Sequence, residues 1–135
     1  MSYDLMVFDP NAAPRGRAPF ITWYQEQAQW PESHGYNNPD VPTSELRAWF
    51  LDIIKTFPPM NGPLASDDVD DPRLSDYSIG RSVIYGAFAW SEAESAYERV
   101  KDLAAKHRVG FFDVSSDTVD IWLPTSAGGL QKLSG

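Results

Sequence analysis

Residues 77–114 read YSIGRSVIYGAFAWSEAESAYERVKDLAAKHRVGFFDV, and along them the spacing of the apolar positions changes from strand to helix and back. From Tyr77 to Trp90 the run is rich in β-branched and aromatic residues, with Gly80 and Gly86 marking a bulge or a close backbone approach. It is one long bent strand or two short ones. From Ser91 the spacing lengthens: Ala93, Ala96, Tyr97, Val100, Leu103 and Ala104 share one helical face, and Ser91 with Glu94 has the form of a capping box. Gly110 ends this helix, and Phe111 to Val114 returns to strand. A helix between strands packs onto their sheet, and the connection through it fits a right-handed crossover.

Working outward, Val119 to Leu123 is a further strand, joined to Phe111–Val114 by Ser115-Ser116-Asp117-Thr118, a connection of hairpin length. The closing TSAGGLQKLSG, residues 125–135, reads as a flexible tail. At the other end, Tyr3 to Phe8 is a strand whose unbroken apolar run, Leu5 to Phe8, predicts cover on both faces. Asp9-Pro10-Asn11 stops it, and Pro14, Gly16 and Pro19 keep the next stretch irregular. Phe20, Trp23, Tyr24 and Ala28 then fall at helical spacing, ending near Trp30-Pro31. Glu32 to Pro42 is a polar loop. Thr43 is placed to cap a second helix with the apolar stripe Leu46, Trp49, Phe50, Ile53 and Phe57, terminated by Pro58-Pro59. Met60 to Asp76 is a long loop. The expected order is β-α-α-β-α-β-β in a single α+β domain over residues 1–124, a mostly antiparallel sheet with helices packed on it.

The chain of 135 residues fits one domain, and an apolar content of 42%, with aromatics at 13% of the chain, is ample for a core. Nineteen acidic residues against eleven basic ones give a net charge of −8. That field repels nucleic acid and anionic membrane and favours a basic partner. The absence of cysteine excludes disulfides, thiolate nucleophiles and cysteine-ligated zinc, and fits a reducing cytoplasm. The N-terminus shows no export signal, and the longest apolar run, Ala48 to Ile54, is broken by Asp52.

Catalytic chemistry finds little support in the residues. His34 lies in a loop; His107 lies in the last turn of the third helix, where the helix dipole and a carbonyl account for it. Neither belongs to a nucleophile, metal or phosphate motif. Ser66-Asp67-Asp68-Val69-Asp70-Asp71 lacks the glycine and the glutamate of a calcium-binding loop, which leaves a solvated acidic segment or a clamp for basic residues. No cofactor, no metal and no catalytic residue is assigned, and the chain reads as a non-enzyme. Trp23, Trp49, Trp90 and Trp122 are expected in or near the core, with Trp30 the exposed one.

The segments SYDLMVFDP, FITWYQEQAQW, FPPMNGP, DYSIG, AFAWSEAE and VGFFDVSS resemble a family of small bacterial proteins encoded beside polymorphic toxin genes, of the immunity-protein kind. The resemblance covers residues 1 to about 124, and its motifs are structural rather than catalytic. It implies a protein that binds a cognate toxin in the producer's cytoplasm and blocks its active site. Charge and loop position select the contact surface: Asp67, Asp68, Asp70, Asp71 and Asp76, together with Glu32, His34 and Tyr36. Two other readings stand beside this one. A small enzyme or ligand-binding domain would use Arg15, Arg17 and Arg81 as anion anchors and present a deep pocket of convergent ionisable groups. A homodimer would pair its spare aromatic surface with a second copy.

Overall fold

The structure, a computed structural model, describes residues 2–29, 32 and 36–133. Its elements are β1 (Tyr3–Phe8), α1 (Arg17–Gln27), α2 (Ser44–Ile53), β2 (Asp76–Ile79), β3 (Val83–Phe88), α3 (Ala93–His107), β4 (Gly110–Phe112), β5 (Ile121–Pro124) and β6 (Leu130–Lys132). The strands form one antiparallel sheet in the order β2-β3-β1-β4-β5-β6. The single α+β domain and the order of its helices and strands are as the sequence predicts, with the 77–90 run resolved into two strands and one strand added at the end.

β1 is central because both its faces are apolar. Leu5 and Val7 point to the side covered by α2 and α3, where Trp49, Ile53, Phe57, Phe88, Val100 and Phe111 close the larger core. Met6 and Phe8 point to the other side, against Phe20 of α1, Val83, Phe112 and Ile121. Burying each such side chain contributes about 1.5–3 kcal/mol. β3 and β4 both run antiparallel to β1, one on each side of it, so α3 crosses over β1 to join them.

Several local expectations are corrected. α1 begins at Arg17 and includes Pro19, which is tolerated because first-turn N–H groups have no helical partner to lose. Thr43 caps α2 as expected, its Oγ1 accepting from the Leu46 N–H at 3.4 Å. The helix nevertheless stops at Ile53, and Phe57 enters the core on a turn in which its N–H donates to the Ile53 carbonyl. The Ser91–Glu94 capping box does not form. Trp90–Glu92 is instead a single 3-10 turn, and α3 starts at Ala93 with no side-chain cap. Arg108, left-handed at φ 59°, ends α3 in place of Gly110. Gly110 lies in β4, where a Cβ would stand 2.2 Å from the Phe8 ring. The predicted tail is also corrected over its middle: a turn with Gly128 at φ 99° folds Leu130–Lys132 back onto β5 as an edge strand. Three residues are too few for an alternating pattern to show in the sequence. Among the described residues no helix is long and apolar enough to cross a membrane.

Candidate binding surface

The acidic loop leaves α2 through Phe57 and Pro58 and is closed at its base. The Met60 N–H donates to the Ser75 carbonyl and the Ser75 N–H to the Pro58 carbonyl, both at 2.9 Å. Within the loop, short polar side chains replace regular structure as partners for the backbone. Ser66 Oγ accepts from the Asp68 N–H at 3.1 Å, Asp68 Oδ1 from the Asp70 N–H at 3.2 Å, and Asp71 Oδ1 from the Arg73 N–H at 2.9 Å. Asp67, Asp68 and Asp70 are exposed and Asp71 half-buried, with Val69 80% exposed among them. Among the described residues no lysine or arginine forms an ion pair with any of the four carboxylates. Arg73, the nearest cation in sequence, is held instead by Glu92 at 2.9 Å over the Phe57 ring.

The other predicted contact residues divide between the two ends of β2. Asp76 opens the strand and accepts from Asn61 Nδ2 at 2.9 Å. At the far end the Ile79 N–H donates to the Tyr36 carbonyl at 2.9 Å, and the Tyr36 hydroxyl accepts from the Glu32 N–H at 2.7 Å. The Glu32 carboxylate accepts from the Arg81 N–H at 3.1 Å and lies where a side chain on Gly80 would otherwise stand. Glu32 and Tyr36 therefore brace the β2–β3 turn. His34 lies outside the described residues.

The sheet register assembles a further group that sequence reasoning missed. Asp4 of β1 and Asp76 of β2 both face Ala87 of β3, so the three side chains form a row across one face of the sheet. In the next row Tyr85 is flanked by Ser78. Tyr24 and Ala28, from α1 and its end, make the opposite wall of a cleft of about 310 Å³ over these strands. The Tyr85 hydroxyl donates to Asp4 Oδ2 at 2.5 Å, Ser2 Oγ donates to Asp4 Oδ1, and the Asp4 N–H donates to Ser115 Oγ at 2.8 Å. Burial first, and then the Asp4 carboxylate that it serves, keep the Tyr85 hydroxyl protonated well above the ordinary tyrosine range; burial also raises Tyr24. The sequence signal was Asp4 itself, a carboxylate at the edge of the Leu5–Phe8 run. Its strand partners could not be read without the register.

The remaining ionisable groups serve the fold. Asp52, 8% exposed, receives Lys106 Nζ and His107 Nε2 at 2.9 Å each and ties α2 to α3. This corrects the expectation that His107 meets the helix dipole and a carbonyl: its partner is a carboxylate. The Lys106 and His107 hydrogen bonds hold the Asp52 carboxyl far below the usual carboxylate range. Asp113, 9% exposed, has Oδ1 without a partner; burial and then the nearby Asp120 charge raise its pKa. The Tyr3 hydroxyl beside it is pushed up to about 12 by burial and by Asp113. Trp122 lies under Lys101 Nζ at 3.6 Å with its Nε1 unpartnered. Trp90, expected near the core, is 50% exposed and packs against Tyr3 with ring centroids 5.1 Å apart and planes tilted by 56°, because the strand ends at Phe88 and the chain turns outward.

The proposed anion anchors do not converge. Arg17 donates to the Thr118 and Val119 carbonyls, Arg81 sits at the β2–β3 turn, and Arg15 borders a cleft of about 390 Å³ with Lys132, itself paired to Asp120. Another cleft, of about 300 Å³, carries Asp9, Glu45 and Arg108. The first is also lined by Thr125 and Ser126 and the second by Thr43, and no described histidine lines either. Compared with protein-family models, with curated proteins and with solved structures, the chain matches none of them.

Proposed function

We propose that this chain is an immunity-type inhibitor, a non-enzymatic protein that binds a cognate antibacterial toxin in the cytoplasm and occludes the toxin's basic active site with acidic surface. The observation that carries this reading is the loop at 66–71: four aspartates without a cation, held in place by their own turns, around a valine that is 80% exposed. Uncompensated charge costs self-repulsion, and an exposed aliphatic gains nothing in water. Both features are useful in a protein that meets a basic, partly apolar cleft. The family resemblance over residues 1 to about 124 points the same way.

The test is co-expression with the products of the genes flanking its own. The expected outcome is one neighbour that kills alone, is harmless with this protein present, and co-elutes with it in fixed ratio. The quadruple reversal Asp67→Lys, Asp68→Lys, Asp70→Lys and Asp71→Lys is expected to abolish protection while leaving the fold intact. Undiminished binding by that variant would remove the loop from the interface, and flanking genes without a toxin that it neutralises would overturn the inhibitor reading.

A further inference from the structure

We infer that the connection between β4 and β5, residues 113–120, is a strained latch that stays shut while Asp113 is protonated and opens locally as that carboxyl ionises. The latch is independent of the inhibitor reading. Its strain lies at Val119, the one β-branched residue among the described residues with a positive φ, at 43°. A branched Cβ disfavours that region, and a residue persists there only where its surroundings over-determine it. Two contacts do so. The Val119 side chain packs against the smaller core, and Arg17, at the start of α1, donates to the Thr118 carbonyl at 2.5 Å and to the Val119 carbonyl at 3.2 Å.

The same connection is flanked by polar atoms that the closed form leaves unsatisfied. Among the described side chains Asp113 Oδ1, Trp122 Nε1 and Arg99 Nε are buried without a hydrogen-bond partner; Asp113 follows β4 and Trp122 lies in β5. Opening lets water reach such atoms, which removes their cost. The groups around Asp113 do not relieve its charge. Tyr3 of β1, with Tyr97 of α3 next to it, presents a phenol, and Asp120, ahead of β5, is a like charge whose cation is Lys132 of β6. Lys101 of α3 stands over the Trp122 ring at 3.6 Å and forms no ion pair with Asp113. Burial and then Asp120 raise the Asp113 pKa, and the Ser116 N–H and Lys101 lower it by less. The closed form therefore binds this proton more tightly than the open form. Its advantage is complete below the ordinary carboxylate pKa of about 4 and is lost as the pH rises through the folded value.

The experiment is amide hydrogen exchange of the full chain, followed by NMR from about pH 4 to about pH 8 and corrected for the intrinsic exchange rate. The Asp113, Ser116 and Val119 N–H groups donate to the Asp120, Asp113 and Ser116 carbonyls and so report the closed connection. Their protection is expected to lie below that of the β1 amides and to be indifferent to urea below the unfolding transition, because a local opening exposes little surface. It is expected to fall by up to about tenfold per pH unit until Asp113 is ionised, and then to level off. Asp113→Asn is expected to raise the protection at neutral pH and abolish the slope, whereas Arg17→Gln is expected to lower the protection about tenfold at every pH and keep the slope. The Asp113 carboxyl of the unsubstituted chain, titrated through its carbon-13 shift, is expected to reach its midpoint where the protection levels off, which keeps the test readable if a variant fails to fold. Latch amides that exchange only together with the β1 amides, with the same urea dependence, would overturn the latch. A slope that survives Asp113→Asn, or an Asp113 midpoint at the ordinary value of about 4, would overturn it as well by removing its trigger.

Discussion

Asp52 and Asp113 are both nearly buried, yet their surroundings treat charge in opposite ways, and this makes their pH dependence opposite. Asp52 receives Lys106 and His107, so the folded state holds its proton less tightly than the unfolded chain does. Its contribution is therefore complete above the ordinary carboxylate pKa of about 4 and is lost as the pH falls below it. Because Lys106 is largely exposed, that ion pair is screened, and Asp52→Asn is expected to cost about 1 kcal/mol at pH 7, with the difference shrinking in urea melts near pH 3. Asp113 has an unpartnered oxygen and the Asp120 charge nearby, so the folded state holds its proton more tightly. Its contribution is complete below about pH 4 and is lost as the pH rises through the elevated folded value. Asp113→Asn is accordingly expected to stabilise the protein by about 1 kcal/mol at pH 7 and to be neutral near pH 3. Parallel pH profiles for the two variants would refute this assignment.

At the level of elements, the contact between β1 and β4 depends on Gly110. Phe8 and Gly110 are register partners, and the Phe8 ring, packed on Phe20 at 4.8 Å, fills the space a Cβ would need. Gly110→Ala forces that ring into α1 or the strands apart, and is expected to destabilise by about 1–3 kcal/mol, read as a lower urea midpoint with an unchanged slope. The same residue shows what the sequence can carry. A glycine after an amphipathic run signals a helix end, and that reading was nearly right in position and wrong in cause, because the requirement comes from a ring 102 residues away in the chain. Elements with long periodicity were legible: the α3 stripe, the Thr43 cap and the central β1. Short elements fixed by pairing were not, which is why β6 passed for tail and why the Asp4–Ala87–Asp76 row, a product of register alone, could not be anticipated. The acidic loop was legible from composition; its turn-by-turn order was not.

For the whole molecule the governing quantity is a net charge of −8 that is unevenly used. Part of the acidic complement is held inside the fold by Lys55, Lys106, His107, Arg73 and Lys132, while the aspartates of the 66–71 loop form no ion pair among the described residues. The outward part sets a long-range field, and long-range fields act on encounter more than on the bound state. On the proposed inhibitor reading, the rate of association with the toxin, measured by stopped flow, is therefore expected to fall at least about tenfold between roughly 0.05 and 0.5 M salt, where the screening length shortens to a few ångströms. The dissociation rate is expected to change far less. Neutralising the loop with Asp67→Asn, Asp68→Asn, Asp70→Asn and Asp71→Asn should flatten the salt dependence of association. An association rate indifferent to salt would mean that the loop does not steer the partner, and acidity would then be a property of the surface without a role in recognition.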